Sequence, residues 1–147
     1  MEMDKLQSAG KDAVLPEKFL AELSLVGETA GIALSEEGRL LTELCWHTGQ
    51  NHTIQLVPNI DSILKLNRAD MSSVKAVFVA RGPGSFNGLR VGVSAAKGFA
   101  FALDVPLVSI DTLEIEAYAF AFSGLPVCAI HGAGRGEIAA ATDRAAS

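Results

Sequence analysis

Hydrophobic residues in this chain come in short runs whose period changes along its length. Three runs come first: FLAELSLV (19–26), ETAGIALS (28–35) and RLLTELCW (39–46). Glu36-Glu37-Gly38 separates the last two and reads as a tight turn, which predicts a hairpin. The first run also fits helical spacing, but the three together suggest an antiparallel meander. HTGQNH (47–52) is a polar loop. From about Thr53 to Asn67 the apolar positions follow a helical period, with Thr53 as candidate N-cap. Pro58 sits near the front, where a missing N–H does less harm than in the interior. VKAVFVA (74–80) is a continuous β-branched run, as expected of a strand buried on both faces. A second helix is predicted over 87–103, ended by Asp104–Pro106, and LVSI (107–110) is a further strand. Strand, helix, strand makes a βαβ unit whose strands run parallel. TLEIEAYAFAF (112–122) is patterned as a helix with Gly124 just beyond it. PVCAI (126–130) and EIAAAT (137–142) form a last hairpin across the turn HGAGRG. A meander followed by a βαβ unit implies an α/β domain with a mixed sheet. Residues 1–18 mix charge, Gly10 and Pro16 without periodicity and are expected to be a flexible tail.

Composition narrows the functional classes. At 147 residues, 49% hydrophobic and 20% charged, the chain is of one-domain length and can bury a core. Twelve Lys+Arg against seventeen Asp+Glu give a formal charge of −5. Phosphate contacts need clustered cations, so no direct nucleic-acid binding is expected of the chain alone. No stretch approaches the roughly 18 apolar residues of a membrane span, and no membrane association is expected. The N-terminal stretch lacks the apolar centre of a signal peptide. Cys45 and Cys128 stand far apart without a CxxC, and are expected to be buried free thiols of a cytoplasmic protein.

The densest local signal is ARGPGSFNGLR (80–90), a glycine-rich turn between a strand and a helix. It fails as a phosphate loop. Five residues on from Gly82 stands Asn87, and Leu89 follows Gly88, so no lysine or hydroxyl takes the required place. Gly82 and Gly84 begin a dinucleotide fingerprint, but its third glycine is again Asn87. Pro83 removes one N–H that a cradle would use. Ser85 is outside a nucleophile elbow, because Pro83 stands two residues before it. Arg81 and Arg90 flank the turn and read as solvated. His47 and His52 are five apart, not the four that put two ligands on one helical face. His131 lies in the last hairpin turn near Glu137. No metal site, cofactor site or catalytic set emerges.

The two long helices carry more. Ile54, Leu56, Val57, Ile60, Ile63, Leu64 and Leu66 spread over roughly 240° of the first helix. A helix that only covers a core needs a stripe somewhat over 100° wide. The surplus is either buried by a second layer of the same chain or covered by another protein. In the second helix Gly88, Gly92, Ala96 and Ala100 form a smooth ridge. Gly92 and Gly98 each cost about 1 kcal/mol against alanine, which close packing usually offsets. A well-filled interior and a helix-to-helix interface both fit these patterns.

QNHTIQLVPNI followed by VARGPGSFNGLRVGVSAAKGFAFALDVPLVSIDTLE closely resembles the TsaB (YeaZ) family of bacterial tRNA threonylcarbamoyladenosine (t6A) biosynthesis proteins. The likeness is strong over about 43–114 and weaker at ETAGIALSEEG and AIHGAGRGEIAAA. The most specific part is GPGSF-x-GLR-x-G with AKG-x-A after it. The resemblance implies the ASKHA fold of actin, hexokinase and Hsp70, built of ribonuclease-H-like lobes. Residues 19–111 would be the first lobe and 112–147 the start of a truncated second one. It also implies a non-catalytic subunit that pairs with a metal-carrying TsaD-like subunit, with a TsaE-like ATPase at the seam. Pairing would run through the first-lobe helices, that is Ile54, Val57, Ile60, Ile63 and Leu64 with Gly88, Gly92, Ala96 and Ala100. The loop Arg81, Gly82, Pro83, Gly84, Ser85 and Phe86 would shape that interface. His52 falls near the position of the partner family's H-x-x-x-H metal pair, without the second histidine. Ser24 takes the place of the family's usual cleft aspartate. Self-pairing through the same helices, as a homodimeric module without a tRNA role, and an ASKHA-type ATPase or phosphotransferase are the alternative readings.

Overall fold

In the computed structural model, the described residues are 19–26, 29–49, 52–118, 120–134 and 136–143. The expected tail, residues 1–18, lies outside them.

Three antiparallel strands come first: β1 (Phe19–Val26), β2 (Thr29–Glu36) and β3 (Arg39–His47). The first run is a strand, which settles its ambiguity. Glu37 and Gly38 both have positive φ, +49° and +74°, between the paired residues Glu36 and Arg39. That is a two-residue turn of the primed type, whose twist matches the flanking strands.

Helix α1 (His52–Leu66) begins one residue before the predicted Thr53, which is therefore inside the first turn and not its cap. The helix runs through Pro58, and Ser62 Oγ donates to the Pro58 carbonyl at 2.8 Å. Past its C-terminus, Asn67 Nδ2 donates to Thr42 Oγ1 and to the Ile63 carbonyl, each at 2.7 Å, fastening the helix end to β3. A short 3-10 turn at Met71–Ser73 leads into β4 (Ala76–Ala80). Helix α2 (Phe86–Leu103) ends at Asp104 in the left-handed conformation, φ +53°. The chain then enters β5 (Leu107–Ile110), parallel to β4.

These elements make one mixed five-stranded sheet in the order β3-β2-β1-β4-β5, with β1 and β4 parallel. Alternation along the strands decides which side chains meet the helices. Ile32 and Leu34 of β2 and Val77 and Val79 of β4 pack with Leu56, Ile60, Ile63 and Leu64 of α1 and Ala96 and Ala100 of α2. Leu44 and Trp46 of β3 border this core. Trp46 Nε1 also donates to Gln55 Oε1 at 3.1 Å, so the indole keeps a polar partner.

Helix α3 (Thr112–Tyr118) is shorter than the predicted 112–122. A 3-10 turn, Ala121–Ser123, follows it, closed by Gly124 at φ +68°. Two strands complete the described chain, β6 (Val127–Gly134) and β7 (Glu137–Asp143), paired antiparallel. The predicted turn HGAGRG is largely strand: β6 continues through His131 to Gly134. This hairpin packs on α3 through a small cluster of Leu113, Ala117 and Ala129.

Candidate functional site

The glycine loop is a clamped strand-to-helix turn. Arg81 N–H donates to the Ile110 carbonyl and Thr112 N–H donates to the Gly82 carbonyl, both at 2.9 Å. The loop is thus held between the end of β5 and the start of α3. Gly82 is buried with φ +109°, a conformation that side chains rarely tolerate. The Gly82–Pro83 bond is cis. Ser85 caps α2 by accepting from Gly88 N–H at 3.4 Å, so its hydroxyl serves the helix. Arg81 is not simply solvated: its Nη2 lies 3.8 Å from Asp111 Oδ2 at the surface, a pair of small energetic weight. Arg90 is exposed, as expected, with its guanidinium 5.5 Å from the centroid of the exposed Phe86 ring.

The histidines do not converge. His47 ends β3, His52 begins α1, and among the described residues no group of His, Cys, Asp and Glu is arranged to hold a metal. His131 is in β6 rather than a turn, and its Nδ1 lies 3.0 Å from Glu116 Oε1 of α3, not beside Glu137. That contact joins the hairpin to α3. Ser24 is placed in β1 opposite Gly31. Cys45 and Cys128 are thiols, not joined in a disulfide, but both are exposed, which corrects the expectation of burial. Alternation along β3 and β6 turns each of them away from the core beneath its strand.

Burial divides the predicted interface residues into two sets. Ile60, Ile63 and Leu64 belong to the chain's own core, with Ile60 at 0% exposure. Gly88, Gly92, Ala96 and Ala100 are the buried stripe of α2. Their smooth ridge lets α2 lie close on β4 and β1, so these seven are removed from the outward surface. Ile54 and Val57 remain outside, 75% and 54% exposed. The excess of apolar surface on α1 is therefore real but narrower than the 240° projection. Its core-facing residues Leu56, Ile60, Ile63 and Leu64 fall within about 100° of arc, the width that a covering helix needs.

Phe86 begins α2, is 74% exposed and is the one loop residue that stands out from the surface as an aromatic. Phe101 is 91% exposed and lies outside the set expected from the sequence. The signal for it was present: once 88, 92, 96 and 100 face inward, 86, 90, 97 and 101 must face outward. The helices α1 and α2 pack on the same core, and Ile54, Val57, Phe86 and Phe101 are large apolar side chains that they leave exposed. Leu66, also exposed, ends α1. A surface of this kind has no acid–base or nucleophilic chemistry, but it is suited to contact with another protein.

Comparisons with known proteins give this surface a context. A family model described as TsaD, tRNA N6-adenosine threonylcarbamoyltransferase, matches residues 47–146. The tRNA threonylcarbamoyladenosine biosynthesis protein TsaB of Bacillus subtilis (strain 168) is 36% identical over 113 residues, 75% of this chain and 48% of that protein. The solved structure of YeaZ from Pseudomonas aeruginosa superposes with a TM-score of 0.72 at 30% identity, over 83% of this chain and 57% of the other. A second solved structure, described as similar to the peptidase YEAZ from Pseudomonas aeruginosa, gives a TM-score of 0.77 at 28% identity, over 87% and 59%. The chain spans about half the length of the relatives it matches.

Proposed function

The chain belongs to the TsaB (YeaZ) family and has its ASKHA-like α/β fold, and from that premise we propose that it is a non-catalytic subunit in the threonylcarbamoylation of tRNA. Its role is to dock a TsaD-like threonylcarbamoyltransferase through the outer faces of α1 and α2. The carrying observation is the apolar exposure on that surface: Ile54, Val57, Phe86 and Phe101 all stand out from two helices that bury a full apolar stripe each. Leaving such side chains in water is unfavourable by about 25 cal/mol per Å² of apolar area, and a docked partner recovers that free energy. The clamped loop 81–86 fixes where α2 starts, and hence where Phe86 projects. A TsaE-like ATPase joins the pair at its seam, and the tRNA is held by the assembled subunits rather than by this acidic chain alone. The chemistry resides on the TsaD-like subunit.

The test is size-exclusion chromatography of the chain mixed with the threonylcarbamoyltransferase of its source organism at micromolar concentration. Co-elution, with no modification of tRNA by the chain alone, is expected. Separate elution at those concentrations refutes the docking role.

A further inference from the structure

Two separate buried clusters occur in the described chain. The larger lies between the sheet and α1 and α2; the smaller, Leu113, Ala117 and Ala129, lies between α3 and the β6–β7 hairpin. The elements around the smaller cluster are weak on their own. A seven-residue helix is well short of the roughly 12 residues at which an isolated helix becomes marginally stable, and a lone two-stranded hairpin is marginal too. The polar ties of this unit are local. Asp111 Oδ1 accepts from Leu113 N–H at 2.9 Å, the Asp111 carbonyl accepts from Ile115 N–H at 3.1 Å, and His131 meets Glu116 at 3.0 Å. Such a unit belongs to the part of a fold that opens locally before the rest.

A buried hydrogen bond ties this unit to the start of α2. Thr112, the first residue of α3, is 4% exposed, and its N–H donates to the carbonyl of the buried Gly82 at 2.9 Å. Gly82 in turn lies against Leu89 in the first turn of α2, where a Cβ built on the glycine would stand 3.0 Å from Leu89 Cδ1. Leu89 N–H donates to the Ser85 carbonyl at 2.8 Å and Gly88 N–H to Ser85 Oγ at 3.4 Å, the bonds that begin the helix. Independently of the docking role, we infer that the α3–hairpin unit and the first turn of α2 open and close together, through Thr112, Gly82 and Leu89. When α3 lifts, the Gly82 carbonyl loses its partner. A buried carbonyl without a partner is unfavourable, so the loop loosens until water reaches it, and Leu89 loses the surface beneath it. The linkage is reciprocal. Whatever grips the exposed Phe86 on that turn tightens the hairpin, and whatever steadies the hairpin fixes Phe86.

The experiment is amide hydrogen exchange of the full chain, read residue by residue by NMR, on the unaltered chain and two variants. Ala117→Gly weakens α3 from its hairpin side, because glycine is a poorer helix former and the buried methyl group is lost. Ser85→Ala weakens the first turn of α2 by removing its cap. With Ala117→Gly, exchange should quicken through α3 and also, by about threefold or more, at Gly88 and Leu89. Val77 and Val79 in β4, which report global opening, should change by less than about twofold. With Ser85→Ala, the Thr112 amide should exchange faster along with Gly88 and Leu89. Faster exchange through α3 with Gly88 and Leu89 unchanged overturns the inference. So does equal acceleration at Gly88, Leu89, Val77 and Val79, or a Ser85→Ala chain whose first turn is freed while Thr112 stays as protected as before.

Discussion

At Gly82 the backbone has φ +109°, and an added Cβ would lie 3.0 Å from Leu89 Cδ1. The side-chain end of Leu89 can move aside, but the backbone conformation remains strained for any L residue. Gly82→Ala should therefore lose about 1–2 kcal/mol in urea unfolding, the usual penalty for leaving glycine's conformational region. Gly98 presents the opposite case. It lies inside α2, exposed, and a methyl group added there would have no neighbour within 4 Å. Nothing within the described chain requires glycine there, so Gly98→Ala should stabilise the isolated protein by up to about 1 kcal/mol in the same assay. The sequence shows both helical glycines, Gly92 and Gly98, and their local cost. It does not show that Gly92 is offset by burial against the sheet while Gly98 stands open. That difference depends on which side of α2 faces β4, and a one-dimensional pattern leaves it open until neighbouring elements are placed.

On the scale of elements, α1 separates core from surface along its own length. Ile60 is 0% exposed and Ile54 is 75% exposed, although both fit one aliphatic pattern. Ile60→Ala should destabilise the fold by about 2–5 kcal/mol, as large-to-small core changes do. Ile54→Asp should change stability by no more than about 0.5 kcal/mol, the usual range for surface substitutions. Thermal or urea unfolding distinguishes them; equal losses would mean that the helix is rotated from the orientation described. The same burial means that Ile60→Asp and Ala96→Glu, though placed in the predicted interface, would disrupt the interior before they could report on pairing. The elements themselves were largely legible. The hairpin at Glu37-Gly38, a strand within the expected 74–80 (observed Ala76–Ala80) and the helix ending at Asp104 follow from turn residues and apolar period. Two boundaries were not. The aromatic-rich YAFAF stretch kept a helical pattern past Tyr118, where the chain instead makes a 3-10 turn ended by Gly124. The glycines of HGAG suggested a turn, but both pair across to β7. The second outcome is set by the register of the β6–β7 pairing, which local preference does not encode.

At the scale of the whole molecule, the described chain has one large core and one small one. Eleven buried residues make up the core of the five-stranded sheet with α1 and α2, whereas the buried apolar cluster described beneath the β6–β7 hairpin is Leu113, Ala117 and Ala129. The larger unit can thus support a rigid outer surface, and that surface is where the exposed Ile54, Val57, Phe86 and Phe101 stand. Family membership was legible in the GPGSF-x-GLR stretch, yet the burial of seven of the nine expected contact residues was not, because a core face and a docking face have the same apolar composition. The most direct test of the docking role is sedimentation velocity of the chain with the threonylcarbamoyltransferase, comparing it with the double variant Ile54→Asp/Val57→Asp. The unaltered chain should sediment as a one-to-one complex at micromolar concentration, while the variant, folded to the same extent by circular dichroism, should sediment separately. A variant that still forms the full complex would contradict docking through the outer face of α1.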